Sequence, residues 1–506
     1  MVSALSNYAG RLVTLATWFF LTPYILGRLG DSDYGLYALI GSVTGYAALL
    51  DFGMTTAVTR FVAESHARRQ PEEAEAVVAT ALSLYTGLAV LVILVSVLLA
   101  PWISGLFHLS LGLQRTAGVL IVVAGVGTAV SFPGALPYAV LAGTQRFDLA
   151  SILSIVGTLA TGAGIWFALQ AGYGLVGVIA VHPILTLLMV APGVILVRRA
   201  IPGFRFGWRA ARRALVRKVV SFSSVLFVIN VASQVQTKTD EIVIGAYLPI
   251  ADITPYSIAR RLSEIPQLLA SQFVKILLPM ATQLHTASAA EGLRSMYVTS
   301  TRLTVAMVSA LTCGLCLLAR PFISIWAGPQ YADSARLLTV LAIAGMVDLS
   351  QWPASMILQG MGRHRLLAVT ATATAAANLI LSLWWIQTMG VMGVALGTLI
   401  PAIVESLFVV LPFSLKLIDV DARQAWSEMF GPALFPVGVM GALIAGLQNV
   451  VTIATLPAIA ATGVLGIVAF LAMYLVQPAT GLERQWALGV WRRMSARNGQ
   501  KDQTGS

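Results

Sequence analysis

Fourteen apolar stretches of about 20 residues or more run through this sequence. They lie near 4–27, 34–62, 75–101, 116–142, 147–169, 174–197, 219–247, 253–281, 295–319, 333–358, 365–386, 391–413, 429–447 and 453–476. A helix rises about 1.5 Å per residue, so about 20 residues cross the roughly 30 Å hydrocarbon layer of a bilayer. A chain patterned this way has lipid as its solvent for most of its length. Composition agrees: 58% of residues are apolar and 10% are charged, against about 25% charged in a soluble domain. The mean hydropathy is +0.83. A water-soluble enzyme, a disordered chain, a collagen-like fibre and a disulfide scaffold are all excluded. The two cysteines, Cys313 and Cys316, sit one turn apart in an apolar run and read as small packing residues rather than a redox or metal pair. The first stretch is too long for the core of a signal peptide, contains Arg11 and ends in Thr22-Pro23-Tyr24, so it is expected to be retained.

The net charge of +11 could suggest a nucleic-acid partner, but its placement points to membrane topology. With the N-terminus in the cytoplasm, 21 Lys and Arg fall on inside loops and the tail. Among them are Arg68, Arg69, Arg146, eight between Arg198 and Lys218, and five from Arg484 onward. Four fall outside: Arg28, Arg115, Arg320 and Arg336. That asymmetry follows the positive-inside rule and places both termini in the cytoplasm, with no role for nucleic acid. The basic linker from Arg198 to Arg213, with Phe204, Phe206 and Trp208, suits either an anionic lipid surface or a solvated, topology-setting loop. The tail from Glu483 to Arg497 carries the same two readings.

The linker separates two related halves. At an offset of 219, Leu29, Asp33, Tyr37 and His66 fall on Leu248, Asp252, Tyr256 and His285. At 217, Leu141, Gly143, Arg146 and Leu149 fall on Leu358, Gly360, Arg363 and Leu366; at 216, Gly174, Gly177 and Val178 fall on Gly390, Gly393 and Val394. An even number of spans per repeat gives both halves one orientation, so a pseudo-twofold along the membrane normal and a central pathway are expected. The expected organisation is a six-helix bundle at 1–200, a basic amphipathic cytoplasmic linker at 201–218 and a second six-helix bundle at 219–416. Two extra helices at 428–476 and a basic tail at 477–506 follow. Pro133, Pro137, Pro183, Pro266, Pro353 and Pro401 are expected to kink or break several spans. Such kinks suit bundles that rock between two states, though proline is also ordinary in membrane helices.

Seven bases lie inside spans: Arg11, Arg60, Lys238, Arg260, Arg261, Lys275 and Arg302. Each costs about 2.5–3.5 kcal/mol at mid-bilayer on insertion scales, which disfavours lipid-facing positions for all of them. Six fall on spans one, two, seven and eight. Span seven carries Asn230, Gln234, Lys238 and Glu241 as one helical stripe; span eight carries Arg260, Glu264, Gln267, Ser271 and Lys275 as another. With Arg11 on span one and Asp51 on span two, these stripes are expected to enclose a hydrated site. Lys238 with Glu241, and Arg260 or Arg261 with Glu264, can form local pairs that neutralise part of the charge, as Asp240 does. The basic residue of charge favours an anion such as a diphosphate headgroup. Arg11, Arg60 and Arg302 also sit near enough to the inner boundary to snorkel. Asp348 and Glu405 stand alone on spans ten and twelve, where they either couple transport to a proton or sodium ion or cap neighbouring helices. His66, His285 and His364 lack metal-ligand spacing. No phosphate-binding glycine loop or nucleophile elbow occurs, so neither an enzyme, a metal nor a cofactor is implied.

Leu26-Gly27-Arg28-Leu29-Gly30-Asp31-Ser32-Asp33-Tyr34-Gly35-Leu36-Tyr37, then Asp51-Phe52-Gly53 through Arg60-Phe61-Val62-Ala63, resembles the opening of bacterial polysaccharide transporters. These are the Wzx-type lipid-linked oligosaccharide flippases of the multidrug/oligosaccharidyl-lipid/polysaccharide exporter superfamily. Asp240 with Ile244-Gly245, and Tyr256-Ser257-Ile258-Ala259-Arg260-Arg261-Leu262, resemble the start of that family's second half; Gly390-Val391-Met392-Gly393-Val394-Ala395 resembles its twelfth span. The resemblance implies an all-α polytopic membrane protein, MATE-like, with about fourteen helices. Two pseudo-twofold-related six-helix bundles and two C-terminal helices make up that fold, and spans one, two, seven and eight line its cavity. It further implies alternating access that carries an undecaprenyl-diphosphate-linked O-antigen or exopolysaccharide unit across the bacterial inner membrane, alongside other polysaccharide-assembly membrane proteins. A cation-coupled multidrug antiporter on the same fold, with Asp51, Asp240 or Glu264 essential, is the alternative. A membrane polymerase or glycosyltransferase of the same pathway is disfavoured by the repeat and by the lack of a large outer loop.

Overall fold

The structure is a computed structural model that describes residues 2–51, 53–107, 109, 111–274, 276–287, 289–451, 453–481 and 483–485. Within these, it describes the backbone alone at 2–9, 11, 48, 104, 111, 115, 218–230, 232, 233, 272 and 364. The described residues form helices, turns and loops and contain no strand. Twelve helical segments among them are long and apolar enough to cross a membrane, and they coincide with spans one to six and nine to fourteen of the sequence. Their outward faces carry Leu, Val, Phe and Trp side chains that remain accessible, among them Leu98, Phe167, Trp384 and Phe408. In water such faces would aggregate; in a bilayer they contact lipid tails.

The chain divides into two compact units, 1–257 with 379–394, and 258–378 with 395–506. In the first unit the helices are α1 (Val2–Leu29), α2 (Asp31–Ala47), α3 (Met54–Ala67), α4 (Pro71–Leu99), α5 (Leu111–Gly134), α6 (Leu136–Gly143), α7 (Phe147–Gln170), α8 (Gly174–Ala200) and α9 (Arg213–Tyr247). Helix α1 packs on α7, α4 on α5, and α8 on both α5 and α7; α9 lies against α2, α3 and α4. The core holds Val58, Phe61, Val78, Tyr85, Phe132 and Leu141 from α3 to α6.

The chain continues through α10 (Ile253–Ser263), α11 (Ile265–Val274), α12 (Leu277–Thr286), α13 (Ala290–Trp326), α14 (Ser334–Ser350), α15 (Trp352–Gly360), α16 (His364–Met389) and α17 (Val391–Ile403). A π-helical stretch, Val404–Val410, leads into α18 (Leu411–Ile418), and α19 (Gly431–Val450) and α20 (Leu456–Val476) close the fold. In the second unit α13 packs on α14, α19 and α20, and α12 on α15.

Proline accounts for most interruptions. The fourth span breaks at Ala135, between Pro133 and Pro137, and the tenth at Gln351, just before Pro353. The π stretch follows Pro401. Each ring removes an N–H and clashes with the preceding turn. Pro183, by contrast, lies inside the unbroken α8. The eighth span is three short helices rather than one, with its first break at Glu264 ahead of Pro266. The stripe expected from Arg260 through Glu264 to Ser271 is therefore not carried by one continuous helix. The second span breaks too, at Ala48–Asp51, and α3 restarts after Gly53, whose φ of 75° is the left-handed conformation that glycine adopts without a Cβ clash.

The basic linker is bound to protein on one side. Phe204 is 2% exposed and belongs to the core of the first unit, with Ile201 and Phe206 packed beside it. The Arg205 N–H donates to the Glu75 carboxylate at 2.8 Å and the Arg212 N–H to Thr80 Oγ1 at 3.0 Å. Trp208 stays accessible and is the linker aromatic free to meet a lipid surface.

Gly35 on α2 sits so close to Ile250 that a Cβ there would overlap the Ile250 carbonyl oxygen and crowd Thr254. Thr254 Oγ1 donates to the Asp31 carbonyl at 2.7 Å, which pins the same junction. Gly35→Ala must push α2 from this turn, with an expected loss of about 1–3 kcal/mol. Thermal unfolding in detergent checks it; an unchanged melting temperature would contradict the close packing.

Candidate functional site

The polar stripe of α9 faces α2. Ser42 on α2 donates to the Glu241 carboxylate, Tyr46 and Thr239 share a hydrogen bond between their hydroxyls, and Gln234 Nε2 donates to the Gly45 carbonyl. The stem of Lys238 rests over Gly45: a Cβ on that glycine would lie 3.3 Å from Lys238 Cγ. Glycine at 45 thus lets the long side chains of α9 lie flat on α2. The sequence allows Lys238 to pair with Glu241, but Lys238 forms no ion pair among the described residues. Glu241 turns instead to the hydroxyl of Ser42 on the facing helix. Asp240, one residue earlier, points to another neighbour and accepts from the buried Tyr256 hydroxyl. Asp240 and Tyr256, quoted above among the motifs of the second half, are therefore one structural pair.

Asp51 closes the broken second span. Its Oδ1 accepts from Thr55 Oγ1 at 3.1 Å and from the Tyr85 hydroxyl, and the two hydroxyls lie 2.9 Å apart. Tyr85 is fully buried on α4 and stacks on Phe132 of α5, with ring centroids 5.7 Å apart. A carboxylate inside a bundle needs such donors, because loss of its water costs several kcal/mol otherwise. Arg60, nine residues further on, is accessible and lies over the Phe61 ring at 5.8 Å.

In the second unit, Arg260 Nε pairs with Glu264 Oε1 at 3.2 Å across the first break of span eight. Of the two arginines open to that acid in the sequence, Arg260 takes it; Arg261 follows on the same helix. Asp348, at the end of α14, accepts from the Trp352 indole at 3.1 Å, and Glu405 on the π stretch is close enough to act on it electrostatically. Two acids 57 positions apart in sequence are thereby brought together. Arg302 is buried and pairs with Glu483 at 2.8 Å, so it neither snorkels nor faces water. Glu483 lies in the basic tail, for which the sequence leaves a lipid surface and a solvated loop both open.

The Arg11 side chain and the whole of Lys275 lie outside the described residues, as do Trp486 and Trp491 of the tail. Among the described residues no group of three or more His, Cys, Asp and Glu is placed to hold a metal ion. Ser42, Thr239, Tyr85 and Trp352 escaped the sequence reading. Each is an ordinary residue until its partner from another helix is known.

Two substitutions test these contacts. Tyr85→Phe withdraws a donor from Asp51 and is expected to cost about 1–3 kcal/mol, read as a lower melting temperature. Arg302→Ala strands the Glu483 carboxylate and is expected to cost about 3–5 kcal/mol, whereas removing both charges together costs much less. Equal losses for the single and double variants would contradict the pairing.

Residues 1–285 match the family model described as polysaccharide biosynthesis protein. EpsK of Bacillus subtilis (strain 168), described as an uncharacterized membrane protein, is 22% identical over 503 residues, 95% of either chain. Among solved structures, the lipid II flippase MurJ in an inward closed conformation aligns with a TM-score of 0.74 at 15% identity, over 96% of this chain and 99% of its own. An inward-facing multidrug resistance MATE family transporter of the MOP superfamily aligns with a TM-score of 0.67 at 16% identity, over 81% and 98%. At such identities the structural matches speak for the fold, which is all-α, polytopic and MATE-like. The family match covers more than half of the sequence, and the chain belongs to the polysaccharide biosynthesis protein family.

Proposed function

We propose that this multi-pass membrane protein is a flippase. Its cargo is an undecaprenyl-diphosphate-linked oligosaccharide, an O-antigen or exopolysaccharide repeat unit, and it carries that unit across the bacterial inner membrane by alternating access. Both termini face the cytoplasm. The observation that carries this proposal is Lys238: a basic side chain in the C-terminal third of α9, held over Gly45, with no ion pair among the described residues. An unpaired base inside a span is costly unless an anion visits it, and a diphosphate supplies one. Arg11, Arg60, Gln234, Asp51, Asp240 and Glu241 are further candidate cargo-binding residues of the first unit, as Arg260, Arg261, Glu264 and Lys275 are of the second. Asp348 and Glu405 provide a place for a coupling proton or sodium ion. Other polysaccharide-assembly membrane proteins hand over and receive the glycan. A cation-coupled multidrug antiporter on the same fold fits the excess of basic residues less well.

Lys238→Ala is expected to cut delivery of the glycan to the outer face about tenfold or more, with lipid-linked unit accumulating on the cytoplasmic side and the membrane level of the protein unchanged. Lys238→Arg keeps the charge and should retain most of the activity. Glycan display in cells lacking the native gene, with blotting of the membrane fraction, checks both. Wild-type display by Lys238→Ala and by alanine variants of Arg260, Arg261 and Lys275 would remove this site.

A further inference from the structure

Within the first unit, α1, α5, α6, α7 and α8 leave a partly open cavity of about 390 Å³. No Asp, Glu, Lys or Arg lines it, which sets it apart from every group invoked so far. Its wall combines aromatic rings, Trp18 and Tyr138, with hydroxyls and one imidazole, His182. Some hydroxyls are spent within their own helices: Thr161 donates to the Gly157 carbonyl and Thr186 to the His182 carbonyl, each at 2.8 Å. Those of Thr17, Ser154 and Tyr138, and the ring nitrogens of His182, have no hydrogen bond among the described residues and are not sealed from solvent. The cavity thus offers neutral donors and acceptors beside aromatic faces.

That surface selects by chemistry. A diphosphate finds no cation there. An alkyl or prenyl chain would cover unbonded hydroxyls, and each group stranded this way costs about 1–3 kcal/mol. A polyhydroxylated ring satisfies both halves of the wall, its hydroxyls meeting Thr17, Ser154 and His182 and its C–H face meeting the rings. The volume suits one or two sugar units within the usual range of ligand pockets, about 300–1,000 Å³. We propose that this cavity is a subsite for an uncharged sugar of the transported glycan, separate from the basic residues that hold its diphosphate. The proposal rests on the flippase function put forward above.

The test uses the full chain in lipid nanodiscs, titrated with undecaprenyl diphosphate and, in parallel, with the glycan-bearing lipid pool extracted from its own host's membranes. The glycan-bearing lipid is expected to bind more tightly. The double variant Thr17→Val with Ser154→Ala should lose about tenfold for that lipid, since each neutral hydrogen bond is worth a few-fold. Binding of the sugar-free lipid should not change, which also shows that the variant is folded. Trp18→Leu, on the aromatic wall, should produce the same selective loss. Equal binding of the two lipids by the wild type, variants that bind as the wild type does, or equal losses for both lipids would overturn the subsite and leave the flippase standing. If the wild type binds neither lipid, the flippase falls and the subsite falls with it.

Discussion

Hydrocarbon supplies no hydrogen-bond partners, so every polar group this chain takes into the bilayer must find one within the protein. The backbone meets that demand by coiling into helices. The side chains meet it by reaching across them: Ser42 to Glu241, Tyr46 to Thr239 and Gln234 to the Gly45 carbonyl join α2 to α9. Tyr85 and Thr55 secure Asp51, and Glu483 answers Arg302. Much of the intramembrane polarity is therefore structural, and it specifies which helix faces which. Lys238 and the open hydroxyls of the first-unit cavity are among the groups without such a partner, and they are the ones the proposals above assign to cargo.

Interruptions of the helices follow the same demand. Some prolines remove an N–H where the span then breaks, as at Ala135 and Gln351, or loosens into a π stretch, as after Pro401. π stretches often mark functional sites because they re-aim a side chain without ending the helix. Here that stretch begins beside Glu405 and brings it to Asp348.

Length and hydropathy were enough to locate the twelve spans that are long apolar helices among the described residues, because membrane thickness imposes one scale on them; the eighth stretch is instead three short helices. Proline positions foretold most of the breaks, yet Pro183 left α8 whole, since neighbouring helices decide whether a lost hydrogen bond opens a kink. The polar stripe of α9 was visible as periodicity, but its direction was not. The partner of Glu241 lies 199 positions away, and nothing in the sequence distinguishes Ser42 from other serines. Arg302 looked like a snorkelling residue until the tail supplied Glu483. The cavity of the first unit was not legible as a site, being assembled from threonines, a serine, glycines and aromatic rings on five helices whose register only the fold sets.

Transbilayer movement in proteoliposomes is the most direct measurement of the central claim. A fluorescent undecaprenyl-diphosphate oligosaccharide and a lipophilic cationic dye are followed side by side with the purified chain. A flippase moves the lipid-linked sugar and leaves the dye where it was added. Movement of the dye without the sugar would contradict the flippase and place the essential chemistry on the intramembrane acids of a cation-coupled antiporter.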